Sequence, residues 1–176
     1  MGWCYANEEG PRKAFIAERL EGWDTDGATA KLLAHADHGS RLWKVYEFTY
    51  KQGERAGQTE RFIALDLIAK WRGHGWGYKD MEETMGPCYY DCPLRFLEMV
   101  PAPEGEFVQE WRARVREYWA AKAKVKAKIR SLKIGDVLSL VPGCTPQQVT
   151  IVSLKPLRGR GPQGGIYKLA PRFIAA

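Results

Sequence analysis

A chain of 176 residues with 45% hydrophobic and 27% charged side chains has the makeup of a folded domain with its own core, and no apolar run nears the roughly 20 residues a membrane-spanning helix needs. A formal net charge of +6 conceals a sharp polarity: residues 1–111 hold 13 Lys/Arg against 19 Asp/Glu, residues 112–133 nine against one, and residues 134–176 five against one. Four cysteines are too few for a disulfide framework, and the opening Met1-Gly2-Trp3-Cys4 lacks the charged and apolar regions of a secretory leader, so a cytoplasmic protein with no membrane partner is expected.

In chain order, residues 1–10 read as an extended or irregular lead. Pro11 to Trp23 reads as a helix, with Pro at its start and Phe15, Ile16, Arg19 and Leu20 at helical spacing, stopped by Gly22 and Asp24-Thr25-Asp26-Gly27. Three strand-like runs follow, Ala28–Ala36, Arg41–Tyr50 and Arg61–Trp71; Leu42, Val45, Tyr46, Phe48 and Tyr50 give the second its aromatic and β-branched character. Arg72 to Pro93, rich in glycine, aromatics, carboxylates and cysteine, reads as a rigid connector, and Cys92-Pro93 as the start of a short helix ended by Pro101 and Pro103.

Glu104 to about Ser131 reads as the longest helix, with Val108, Trp111, Val115, Tyr118, Val125, Ile129 and Leu132 at spacings of three and four. Short β runs at Ile134–Val141, Gln148–Leu154 and Gly165–Leu169 are split by Pro/Gly turns. The expected class is therefore α+β: an antiparallel three-stranded meander with packed helices over residues 1–103, one long basic helix over 104–133, and a small β-barrel-like or meander unit over 134–176.

Cys88-x-x-x-Cys92 has the spacing of zinc-site cysteines, but a structural zinc takes four ligands and no second pair exists. The expectation is no cofactor, with His74, Cys88 and Cys92 as the candidate zinc ligands. Gly73-His74-Gly75-Trp76-Gly77 follows a strand yet fits neither phosphate-loop pattern. His74, Lys79, Asp80, Glu82, Glu83, Cys88 and Asp91 give residues 74–92 the groups a metal- or thiol-dependent hydrolase or nuclease would use, though neighbours in sequence rarely converge on one site. More simply, Tyr78, Lys79 and Asp80 tie a motif loop down by hydrogen bonds.

The basic helix needs a counter-charge that the single carboxylate Glu117 does not supply. Arg112, Arg116, Lys122, Lys124, Lys126, Lys128 and Arg130, with Arg158 and Arg160 of an Arg-Gly-Arg-Gly loop, are the candidate contacts to a phosphate backbone. An acidic protein partner, or the chain's own acidic first half, would also satisfy them.

The run Gly77-Tyr-Lys-Asp-Met-x-Glu-x-Met-Gly-Pro-Cys-x-x-x-Cys-Pro93 resembles a motif in an uncharacterised family distributed among bacteria, phages and integrated mobile elements. Met1-Gly2-Trp3 and Glu110-Trp111-Arg112-Ala113-Arg114 are similar too, and the C-terminal β segment lies outside the resemblance. It implies an accessory protein that binds nucleic acid or a host nucleoprotein or defence complex, for instance as an anti-CRISPR-type inhibitor, and it carries no activity over to these residues.

Overall fold

Arg41–Tyr50, dense in aromatic and β-branched residues, lies within the larger of two sheets. In the computed structural model, which describes residues 2–5, 10–71 and 75–175, the chain forms two units, Met1–Arg116 and Glu117–Ala176. The first contains β1 (Cys4–Tyr5), α1 (Arg12–Arg19), β2 (Trp23–Asp24), β3 (Ala28–Asp37), β4 (Arg41–Tyr50), β5 (Thr59–Trp71), β6 (Gly75–Glu82), a 3₁₀ turn (Glu83–Met85) and α2 (Leu94–Met99). The helix α3 (Glu106–Ser131) begins there and ends in the second unit, which adds β7 (Val137–Ser139), β8 (Gln148–Leu154), β9 (Leu157–Arg160), β10 (Ile166–Lys168) and a 3₁₀ turn (Pro171–Phe173). No helix among the described residues is long and apolar enough to cross a membrane.

The first sheet is antiparallel, with strand order β1-β6-β5-β4-β3-β2. The three expected strands are β3, β4 and β5, but the sheet does not stop at three. Gly75–Glu82, expected as a connector, pairs along β5 from Ala64↔Glu82 to Trp71↔Gly75. The helix α1 ends at Arg19, earlier than expected, and Trp23 pairs with Ala30 as part of an edge strand. On one face Phe15 and Ile16 of α1 pack on Leu42 and Ile68. Trp43, whose side chain alternates to the opposite face, lies 5.9 Å from Trp111 of α3, where Phe96, Val108 and Val115 are also buried.

The second sheet has the order β10-β9-β8-β7, a four-stranded meander. Its core is Leu138, Val149, Ile151, Leu169 and Ile174, sealed by Val125, Ile129 and Leu132 at i, i+4 and i+7 along α3. The expected Arg158–Gly161 loop is largely strand. Gly159 faces this core so closely that a Cβ there would stand 2.5 Å from Val149 Cγ2, and this absence of a side chain lets β9 lie flat on the interior.

Candidate nucleic-acid interface

The second unit holds eleven Lys/Arg and two Asp/Glu, Glu117 and Asp136. Among its described residues no ion pair forms; Asp136 accepts a hydrogen bond from the Lys133 backbone N–H. The cations fall into two groups set by the local fold. Along α3, Lys122, Lys126 and Arg130 occupy i, i+4 and i+8 on one flank of the packed apolar stripe, and Lys124 and Lys128 occupy i and i+4 on the other. Each like-charge pair at that spacing costs the helix about 0.2–0.5 kcal/mol, so the ridges are unfavourable until a counter-charge arrives. Lys122 lies 4.9 Å and 4.8 Å from the Tyr118 and Trp119 ring centroids, and Lys128 donates to the Ala175 carbonyl at 2.8 Å.

The second group lies on the sheet face opposite the core. With Gly159 turned inward, Arg158 and Arg160 point outward, and register places Lys168 and Ser153 beside Arg158, and Thr150 and Ile166 beside Arg160. Arg116, Lys122, Lys124, Lys126, Arg130, Arg158 and Arg160 are exposed, and Lys128 is half-buried. Lys168, exposed on the same face, escapes sequence reasoning because only strand register brings it to Arg158.

Arg112 departs from expectation. Its side chain is 2% exposed, and it donates to Glu83 at 2.7 Å and 3.1 Å and to the Val100 carbonyl at 3.0 Å. It is a buried structural cation and offers nothing to a partner. Its register was the available signal: Arg112 stands four residues after Val108 and next to Trp111, on the buried side of α3.

Arg112 belongs to a wider lock between residues 83–91 and α3. The Trp111 indole donates to the Tyr89 carbonyl at 2.9 Å, and Arg114 donates to the Tyr90 hydroxyl at 3.0 Å while also pairing with Glu110. Around Gly86, Pro87, Cys88, Phe107 and Arg114 they leave an open groove of 220 Å³. Asp91 fastens the other end of the motif to β4: it accepts from Arg41 at 2.9 Å and from the Trp43 indole at 3.3 Å, with His38 Nδ1 at 3.1 Å.

The described titratable groups of residues 75–92 do not gather at one point. Tyr78 and Asp80 face the same side of the sheet as Ile68 and Asp66, Lys79 alternates to the other side, and Glu83 and Asp91 are committed to Arg112 and Arg41. Tyr78, Lys79 and Asp80 are strand residues, contrary to the expected motif loop; Tyr78 stacks under Arg19, whose guanidinium carbon is 3.5 Å from the ring centroid. Asp66 is buried and held by Lys44 at 2.7 Å and Arg19 at 3.0 Å. Burial pushes the Lys44 ammonium below its ordinary pKa despite the opposing pull of Asp66.

Of the zinc candidates, His74 lies outside the described residues, as does Gly73. Cys88 is exposed, whereas Cys92 is buried and its thiol is pushed up, first by burial and then by Glu83 and Asp91. Raising the thiol disfavours the thiolate that metal ligation and nucleophilic attack both require. No disulfide links the two, and no group of three or more metal-ligating side chains occurs among the described residues.

Against known proteins, no family model, no curated protein and no solved structure matches this chain.

The Asp91 cluster yields a pH-dependent expectation. Burial alone would raise its carboxyl pKa, but His38, Arg41 and Trp43 outweigh that and hold it below the ordinary value of 3.8. A carboxylate lowered on folding contributes stability that is complete above the unfolded-state pKa and lost as pH falls through the folded value. The Asp91→Asn variant should therefore melt below the parent at pH 6–7, with the gap closing below about pH 4. Thermal unfolding of both proteins across pH 2–7 checks this, and a gap unchanged down to pH 2 would refute it.

Proposed function

We propose that this protein is a non-enzymatic nucleic-acid-binding accessory protein that engages its target through residues 117–176. The observation that carries the reading is the set of eleven cationic side chains, opposed by two carboxylates and without an ion pair among the described residues of that unit. Solubility does not call for such a ridge, whereas a phosphate backbone supplies one negative charge per nucleotide and releases condensed counterions when it is neutralised. The motif segment, locked between α3 and β4, supports a scaffold role for the first unit. The resemblance to a family of phages and mobile elements supports a target within a host nucleoprotein or defence machine.

Binding of labelled oligonucleotides, single- and double-stranded, should weaken linearly in log Kd against log salt concentration. Five to eight phosphate contacts on a single strand give a slope magnitude of about 3.5–5.5, at roughly 0.7 per contact. A protein that binds neither form at low salt, or binds independently of salt, would rule the reading out. If nucleic acid fails and an acidic protein is captured in a salt-sensitive way, the charge has another purpose.

A further inference from the structure

Next to the arginine ladder of the second sheet lies a cleft of 570 Å³, lined by Ser139, Leu140, Pro142, Gln147, Gln148 and Pro162. Its chemistry differs from that of its surroundings. No charged residue lines it, although the adjoining strand carries Arg158 and Arg160. It offers two carboxamides and a hydroxyl, groups that both donate and accept, together with the apolar surfaces of Leu140 and two prolines. Pro142, Gln147, Gln148, Ser139 and Pro162 are all solvent-exposed, so the polar groups are available to a ligand.

Strand register fixes how this cleft stands to the cations. Ser139 pairs with Gln148 in one row of the outer face; Val137, Thr150, Arg160 and Ile166 form the next, and Ser153, Arg158 and Lys168 the one after. Gln148 and Thr150 are two residues apart on β8, which separates the first two rows by about 6.6 Å, a step one nucleotide can bridge. Arg160 stands between Ile166, 57% exposed, and Thr150, with Val137, 65% exposed, beyond Thr150, so the row offers apolar surface to a sugar or base at both ends. Read across the face, the order is polar cleft, then arginine between threonine and isoleucine, then arginine with lysine.

We infer that the cleft takes one unpaired nucleobase, whose edge is read by Gln147 and Gln148 while Arg160 and Arg158 hold the phosphates that follow it. This rests on the nucleic-acid reading above and adds selectivity to it. An uncharged, amide-lined cavity suits a base edge and not a phosphate, and the 570 Å³ of the cleft is large enough for a planar base. A base buried in a duplex cannot enter, so the site selects single strands, bulges or ends.

The test measures binding of the full chain to 20-nucleotide homopolymers of dA, dC and dT and to a mixed duplex at one salt concentration. The parent should prefer one single strand over the others by about tenfold, the discrimination a well-placed carboxamide gives. The Gln147→Ala/Gln148→Ala variant should compress that spread to within about twofold while leaving the salt slope unchanged, because the slope counts phosphate contacts. Arg160→Ala should do the reverse, weakening all strands alike and lowering the slope. A parent that binds the strands and the duplex equally well would overturn the cleft assignment while leaving nucleic-acid binding intact, as would a glutamine variant with an unchanged spread. A parent that binds none of them overturns both. Both glutamines are exposed, and circular dichroism of the variant confirms that its fold is retained.

Discussion

Arg112→Ala should cost the first unit about 3–5 kcal/mol, a large part of the roughly 5–15 kcal/mol that holds a domain of ordinary size folded. The reason lies in what is left behind. Glu83 is 1% exposed and has its two oxygens on Arg112; without the guanidinium it is a buried, unpaired anion. The carbonyls of Leu97, Val100 and Pro101 lose a donor at the same stroke. Urea unfolding followed by tryptophan fluorescence reports on this region, since Trp43 and Trp111 lie together in the same core. The paired variant Arg112→Met/Glu83→Leu should recover most of the loss, because an apolar pair of similar volume often replaces a buried ion pair at little cost. An Arg112→Ala protein as stable as the parent would show that the cation is solvated and that the lock between motif and helix does not hold.

Arg158→Ala/Arg160→Ala/Lys168→Ala should weaken single-strand binding about a hundredfold near 0.1 M salt and reduce the slope magnitude by about 2, at roughly 0.7 per lost phosphate contact. The three side chains are exposed, so the sheet should fold without them. Removing exposed cations from the first unit, as in Lys13→Ala/Lys31→Ala, provides the comparison and should change affinity by less than threefold. If both variants bind alike, net charge and not the ladder attracts the target. Replacing Lys122, Lys126 and Arg130 then asks whether the helical ridge belongs to the same footprint.

Much of the architecture is legible in the chain itself. β4 announces itself by its aromatic and β-branched residues, and β3 by alanines alternating with Thr29, Lys31, His35 and Asp37. β5 shows in its largely apolar run from Phe62 to Ala69, and α3 in apolar residues that recur every three or four. Two of the strands that escape the reading, β6 and β9, share a physical cause. Glycines hold alternate buried positions, Gly159 facing the core in β9, and Gly75 and Gly77 in β6 on the side opposite the Trp76 and Tyr78 that pack toward α1, so half of the expected alternation carries no side chain. A run such as Gly-Trp-Gly-Tyr or Arg-Gly-Arg then resembles a loop, though glycine on the buried side permits close packing. The site divides in the same way. Charge density marks α3 and the Arg-Gly-Arg run, but the pairing of Lys168 with Arg158 and the cleft at Gln147 and Gln148 exist only once strands are in register. Arg112 is misread for the opposite reason, because a cation within a cationic run hides its place on the buried side of the helix.

The distribution of ion pairs has a consequence for how the two units respond to their surroundings. Carboxylate–cation pairs such as Arg12–Asp37, Lys44–Asp66 and Arg112–Glu83 lie in the first unit, and none forms among the described residues of the second. Added salt therefore screens attraction in one and self-repulsion in the other. The second unit should grow firmer as ionic strength rises and firmer still on a polyanion, which stabilises whatever fold it binds. On the nucleic-acid reading, such a unit would be held back by its own charge until it met a polyanion, and engagement and consolidation would become a single event.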